Sequence, residues 1–102
     1  MSNYKNILVL MTDQLRADCL GCAGHPLLET PNIDRLAQRG VRFTRCYTPE
    51  AVCVPARASL STGRYVQAHR VWWNETPWPD DEKLMGEHLA EENVRSFLCG
   101  KA

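Results

Sequence analysis

The segment Cys53-Val54-Pro55-Ala56-Arg57 concentrates reactive side chains in a sequence of 102 residues. Pro55 suits the first turn of a helix, which would leave Cys53 just outside the helix amino terminus. Free backbone N–H groups and the helix dipole make such a place a natural anion site, and they favour a thiolate. Arg57 would then lie in the first turn, where a cation is disfavoured by roughly 0.3–1 kcal/mol. A bound anion reverses that sign. The competing reading is a buried thiol and a solvated guanidinium beside an ordinary capped helix. The Cys-to-Arg spacing does not suit a cysteine phosphatase, where a longer loop must wrap the phosphate.

Asp13-Gln14 is a second candidate. It follows the apolar run Ile7-Leu8-Val9-Leu10-Met11, and ligands of open α/β sheets bind beyond the carboxyl ends of strands. A carboxylate beside an amide carbonyl offers hard oxygen donors to a divalent cation. The alternative is an Asp that caps the following turn. A third candidate is Cys19-Leu20-Gly21-Cys22-Ala23-Gly24-His25, whose Cys-x-x-Cys and His could begin a zinc site. No second Cys-x-x-Cys or paired His completes it, so two loop thiols are the simpler reading. His88 falls on the inner face of an amphipathic helix and reads as a core or boundary residue. His69 lies in an aromatic loop and could be structural or functional. Lys101 follows a strand and would project on the side of Asp13 if the strands are parallel; the alternative is a frayed terminal lysine.

These residues need elements to hold them. The run at 7–11 is continuous and partly β-branched, which suits a strand buried on both faces. Residues 15–29 contain Gly21, Gly24 and Pro26 and read as an irregular loop. A helix over 30–40 has Thr30 as its cap, Pro31 at its first position, Asp34 in its first turn and Gly40 as its stop. Ile33, Leu36 and Ala37 share one face. Residues 41–47 alternate and predict a strand. A short small-residue helix over 55–62 ends at Gly63. Residues 65–79 hold all three tryptophans in a packed loop. A third helix opens at Asp80-Asp81-Glu82 and runs to about 92, with Leu84, His88 and Leu89 inward. Residues 95–99 are the last strand. The alternation of strand and helix predicts an α/β layer structure with no internal domain boundary.

Composition bounds the function. Lys+Arg and Asp+Glu are each 12, so the formal net charge is zero. That is not the footprint of a nucleic-acid or polybasic membrane binder. The longest apolar run is too short to span a bilayer or to serve as a secretory signal, which makes the cytoplasm the expected compartment. Five cysteines cannot form a complete disulfide framework, and reduced thiols are expected. The sequence stops at Phe97-Leu98-Cys99-Gly100-Lys101-Ala102 with no closing element, as a cut chain would.

Together these segments resemble the amino-terminal part of the sulfatase family, within the alkaline-phosphatase-like superfamily. Cys53-Val54-Pro55-Ala56-Arg57-Ala58-Ser59-Leu60-Ser61-Thr62-Gly63-Arg64 matches the family signature throughout, including the Cys-x-Pro-x-Arg core read by a modifying enzyme. Thr30-Pro31-Asn32-Ile33-Asp34-Arg35-Leu36-Ala37 with Gly40 and Phe43 is similar to the family's first helix. Leu20-Gly21-Cys22 with Gly24 and Pro26 is similar to the loop before it, which weakens the zinc reading.

The resemblance implies an α/β/α fold with a mainly parallel sheet, of which residues 1–102 are the amino-terminal fragment of the catalytic domain. It implies that a formylglycine-generating or equivalent maturation enzyme oxidises Cys53 to formylglycine. One hydroxyl of the hydrated aldehyde would attack sulfur, and the other would lose its proton and expel sulfate, a step a thiol cannot perform. Asp13, Gln14 and the modified Cys53 would hold a divalent metal, commonly calcium in this family. Arg57 would hold the formylglycine and add positive charge. Lys101 would contact the sulfate and its departing oxygen. Many sulfatases have a second Asp where this chain has Gln14; the Asp-Gln pair is similar to the choline-sulfatase and phosphonate-monoester-hydrolase branch. Asn74 stands where that branch has an active-site Asn. Lys101 is the usual sulfatase residue and favours a small sulfate ester as substrate. The later metal ligands and the His after the Gly-Lys lie downstream in the family. A phosphonate or phosphodiester hydrolase is the related alternative. A non-catalytic remnant, inactive and prone to aggregate through open sheet edges, is the alternative from another class.

Overall fold

The computed structural model describes residues 6–101. Within them the chain divides after Thr44 into an amino-terminal and a carboxyl-terminal unit.

The amino-terminal unit is organised by helix α1 (Pro31–Arg39). Pro31 stands at its start, Asp34 in its first turn and Arg39 in its last, each matched to the helix ends. Thr30 occupies the N-cap position, but its side chain makes no cap bond. Its hydroxyl instead accepts the Gly21 N–H at 2.9 Å and donates to Asp34 Oδ1 at 2.7 Å. Asp34 Oδ1 also accepts the Cys22 N–H at 2.7 Å. This clip ties the 3₁₀ turn Gly21–Ala23 to α1. The Thr30 hydroxyl above all, and then the Cys22 amide, hold the Asp34 carboxyl below its ordinary range. Ile33 and Leu36 on the apolar face are exposed, and only Ala37 is half-buried.

In the carboxyl-terminal unit α2 (Cys53–Thr62) packs against the single turn α3 (Val66–His69) and against α4 (Met85–Glu91). The small core is Pro55 and Ala58 from α2, Val66 from α3 and Val71. Ser59, His69 and Glu82 are the buried polar residues. Gly63, at φ 68°, ends α2 in the left-handed conformation, its N–H bonded to Ser59 O at 2.9 Å.

Several expectations are corrected. No strand is present among the described residues, so residues 7–11, 41–47 and 95–99 stand outside any ladder. Ile7, Leu8, Val41, Phe43 and Phe97 are largely exposed. A strand is held by hydrogen bonds to a neighbour, and a parallel strand buried on both faces needs one on each side. The described residues supply none.

The third helix begins at Met85, not at Asp80. Asp81 is drawn to Arg70 (3.0 Å), and Glu82 is buried against Arg64 (2.6 Å). These ion pairs take the acidic residues that would otherwise open a helix. Glu87 then accepts the Leu84 N–H at 2.6 Å and caps α4. His88 is exposed beside Glu91 (3.8 Å) instead of facing inward. The tryptophan segment is not packed throughout. Trp72, Trp73 and Trp78 are exposed, and the buried residues of 65–79 are Val66, His69 and Val71.

Candidate active site

The site is built on the amino end of α2. The helix starts two residues earlier than its sequence suggests, so Cys53 is its first residue and Arg57 lies in its second turn. Two bonds explain the extra residues. Val52, in extended conformation, accepts the Ala56 N–H at 3.0 Å. Asn74 Oδ1 accepts the Val54 N–H at 3.1 Å from twenty residues away. A helix amino terminus leaves its first N–H groups without internal partners. Pro55 has no N–H to satisfy, and Val52 has no side chain able to cap. Asn74 therefore supplies the cap from outside, bonding the residue that follows half-buried Cys53.

Arg57 extends from the same helix and donates through its guanidinium to the Lys101 main-chain oxygen at 2.8 Å. That bond joins residues 44 positions apart. Cys53, Arg57, Asn74 and Lys101 are thus linked, through α2 and two hydrogen bonds, within one unit. The arrangement joins a helix amino terminus that begins with a cysteine to a guanidinium and an ammonium-bearing residue on the same unit. It suits an oxyanion such as a sulfate or phosphonate group.

His69 is fully buried and belongs beneath this site, not at its surface. Its ring bonds to Ser59 on α2 at 2.9 Å and to the Val71 N–H at 3.1 Å. Sequence reasoning noted Ser59 only as a small residue. It also missed the Arg64–Glu82 pair just beyond α2, in which the Glu82 side chain is 2% exposed. Asn74 is expected only through the family resemblance; its bond to the Val54 N–H cannot be read from the sequence.

Asp13 and Gln14 are adjacent and exposed in the amino-terminal unit. Gln14 has φ 54°, a left-handed conformation that is costly for a residue with a Cβ. The chain therefore turns sharply at a pair of hard oxygen donors, an arrangement compatible with a calcium-type cation. His25 Nδ1 accepts the Leu27 and Leu28 N–H groups at 3.2 and 2.9 Å. Among the described residues, no three His, Cys, Asp or Glu side chains are gathered as a metal site. Cys19, Cys22, Cys46, Cys53 and Cys99 are free thiols. No helix among the described residues is long and apolar enough to cross a membrane.

Comparison with known proteins bears on the family of this chain. Residues 5–102 match the sulfatase family model. An ulvan-active sulfatase of Formosa agariphila is 38% identical over 96 residues, covering 94% of this chain and 19% of the relative. An arylsulfatase of Clostridium perfringens is 44% identical over 97 residues, with 94% and 20% covered. Arylsulfatase A of Bos taurus is 51% identical over 102 residues, with the same shares covered, 94% and 20%. The crystal structure of a phosphonate monoester hydrolase from Agrobacterium radiobacter superposes with a TM-score of 0.73 at 42% identity. It covers 79% of this chain and 16% of that one. The chain spans about a fifth of the length of the curated relatives it matches. The chain belongs to the sulfatase family.

Proposed function

We propose that this chain carries the nucleophile and part of the metal site of a sulfuric ester hydrolase of alkaline-phosphatase-like α/β/α fold. The observation that supports this reading most is the convergence on α2. Cys53 opens the helix, Asn74 caps it, and Arg57 ties it to Lys101. In the proposed enzyme a maturation enzyme converts Cys53 to formylglycine, whose hydrate supplies a nucleophilic hydroxyl and a second hydroxyl able to release sulfate. Asn74 orients the amino end of α2, and its amide N–H groups donate to the substrate's oxygens. Arg57 holds the modified residue in place and keeps the Lys101 segment beside it. The Lys101 ammonium balances charge on the departing oxygen.

By family resemblance, Asp13 and Gln14 would supply oxygen donors to a divalent metal, calcium in that family, whose chemistry would be to neutralise anionic oxygens. The substrate is a small sulfate monoester. The test is hydrolysis of an aryl sulfate by the product of the complete reading frame, after chelation and after calcium is restored. Turnover that returns with calcium supports the reading. Turnover that is absent in both conditions, with Cys53 unmodified, contradicts it.

Phosphonate or phosphodiester hydrolysis is the second reading. Gln14 and Asn74 favour it, as does the 42% identity to a phosphonate monoester hydrolase. Relative kcat/KM on matched aryl sulfate and aryl phosphonate esters decides between the two.

A further inference from the structure

Asn74 meets the Val54 N–H at the end of the segment that runs from His69. His69 is fully buried at the end of α3, and both ring nitrogens are engaged. Nδ1 accepts the Val71 N–H at 3.1 Å, so the ring hydrogen sits on Nε2, 2.9 Å from Ser59 Oγ. Ser59 is itself buried on α2. The imidazole therefore spans from the Cys53 helix to the main chain two residues beyond His69. Between them lies Arg70, at φ 62°, a conformation disfavoured for a residue with a side chain. The Val71 N–H bond and the complete burial of Val71 hold that reversal. Beyond it, the Trp73 N–H meets Thr76 Oγ1 at 2.9 Å and the Thr76 N–H meets Trp73 O at 3.1 Å. That turn presents Asn74.

We infer that His69 is a positioning residue for Asn74. Its ring anchors the start of the 70–74 segment to the middle of α2, so that Asn74, at the end of the segment, meets the amino end of the same helix. His69 touches neither substrate nor metal. Its effect on turnover rests on the sulfatase reading; its effect on the Val54 hydrogen bond does not.

The test measures amide hydrogen exchange at Val54, Val71 and Gly63, with kcat/KM on an aryl sulfate, in the full chain and its variants. His69→Gln keeps a donor near Nε2 and removes the acceptor at Nδ1. It is expected to speed Val54 exchange about tenfold, as Asn74→Ala does, the loss expected for one hydrogen bond. Gly63, bonded within α2, keeps its protection. Added to Asn74→Ala, His69→Gln changes kcat/KM by less than about twofold, since both act through one contact. Faster Val71 exchange with Val54 unchanged overturns the inference, as does an independent, multiplicative loss of kcat/KM. His69→Asn keeps an acceptor near Nδ1 but loses the Nε2 donor that meets Ser59 on α2, so it too is expected to speed Val54 exchange. Val54 protection retained in this variant overturns the inference, and it decides the question should His69→Gln not fold. Exchange reports the positioning role even where no sulfate ester is turned over, so the two readings fail separately.

Discussion

The Arg57 guanidinium donates to the main-chain oxygen of Lys101 at 2.8 Å, across 44 residues of sequence. A side chain of the Cys53 helix thereby holds the backbone of a residue whose own side chain carries a separate charge. Position and charge at Lys101 are thus controlled by different atoms and can be altered separately.

Lys101→Met removes the ammonium and keeps the carbonyl that Arg57 holds. On an aryl sulfate, kcat should fall about 100-fold, the scale of losing one transition-state donor, and by more than any change in stability accounts for. Arg57→Lys should cost activity as well, because an ammonium lacks the planar fork of the guanidinium. Steady-state kinetics with thermal melting of each variant checks both. Equal activity in Lys101→Met would remove Lys101 from the chemistry.

Asn74 serves the helix through its oxygen and is proposed to serve the substrate through its amide N–H groups. Asn74→Ala should destabilise by about 1 kcal/mol, the usual loss for a helix cap, and lower kcat/KM. Asn74→Asp keeps the acceptor and places a negative charge at a helix amino terminus, which is favourable by about 0.3–1 kcal/mol. Its stability should match or exceed that of the parent. Its KM for a sulfate ester should rise about tenfold through like-charge repulsion. Denaturant unfolding and KM measured on the same samples separate the two roles.

The clip at Asp34 gives the amino-terminal unit an acid dependence. Its carboxyl is held below the ordinary range, chiefly by the Thr30 hydroxyl. A depressed carboxyl stabilises the fold at pH above its unfolded pKa, and that stability is lost as pH falls through the folded pKa. Urea midpoints followed from neutral pH into acid should therefore decline below the ordinary carboxylate range, and Asp34→Asn should flatten the decline. A Cβ at Gly21 would collide with Asp34 Oδ2. Gly21→Ala should accordingly lower the midpoint at neutral pH.

Glu82 is a buried carboxylate whose partner, Arg64, is half exposed. Arg64→Ala leaves that charge unpaired and should cost about 2 kcal/mol, below the roughly 3–5 kcal/mol of a fully buried pair because solvent still screens the position. The double variant Arg64→Ala with Glu82→Ala should be less damaged than Arg64→Ala alone. Chemical denaturation of the three variants completes the cycle.

Local signals were legible in the sequence. Pro31 and Gly63 mark helix ends because each acts through its own backbone geometry. The Cys53–Arg64 signature identified the helix that carries the site. Contacts made over long separations were not legible. Asn74 extends α2 by accepting a hydrogen bond twenty residues away, so the helix starts before Pro55. Arg64 and Arg70 draw Glu82 and Asp81 into ion pairs, so α4 begins after them. His69 read equally well as loop or site until its burial and two bonds assigned it to the interior. The apolar runs at 7–11 and 95–99 predict strands, but a strand forms only where a second strand can bond to it.

The mass of the peptide bearing Cys53, isolated from protein that turns over an aryl sulfate, tests the proposed chemistry most directly. The expected result is an aldehyde at residue 53, with the side chain CH2SH replaced by CHO. A chain that hydrolyses the ester with an unmodified thiol at Cys53 would contradict it.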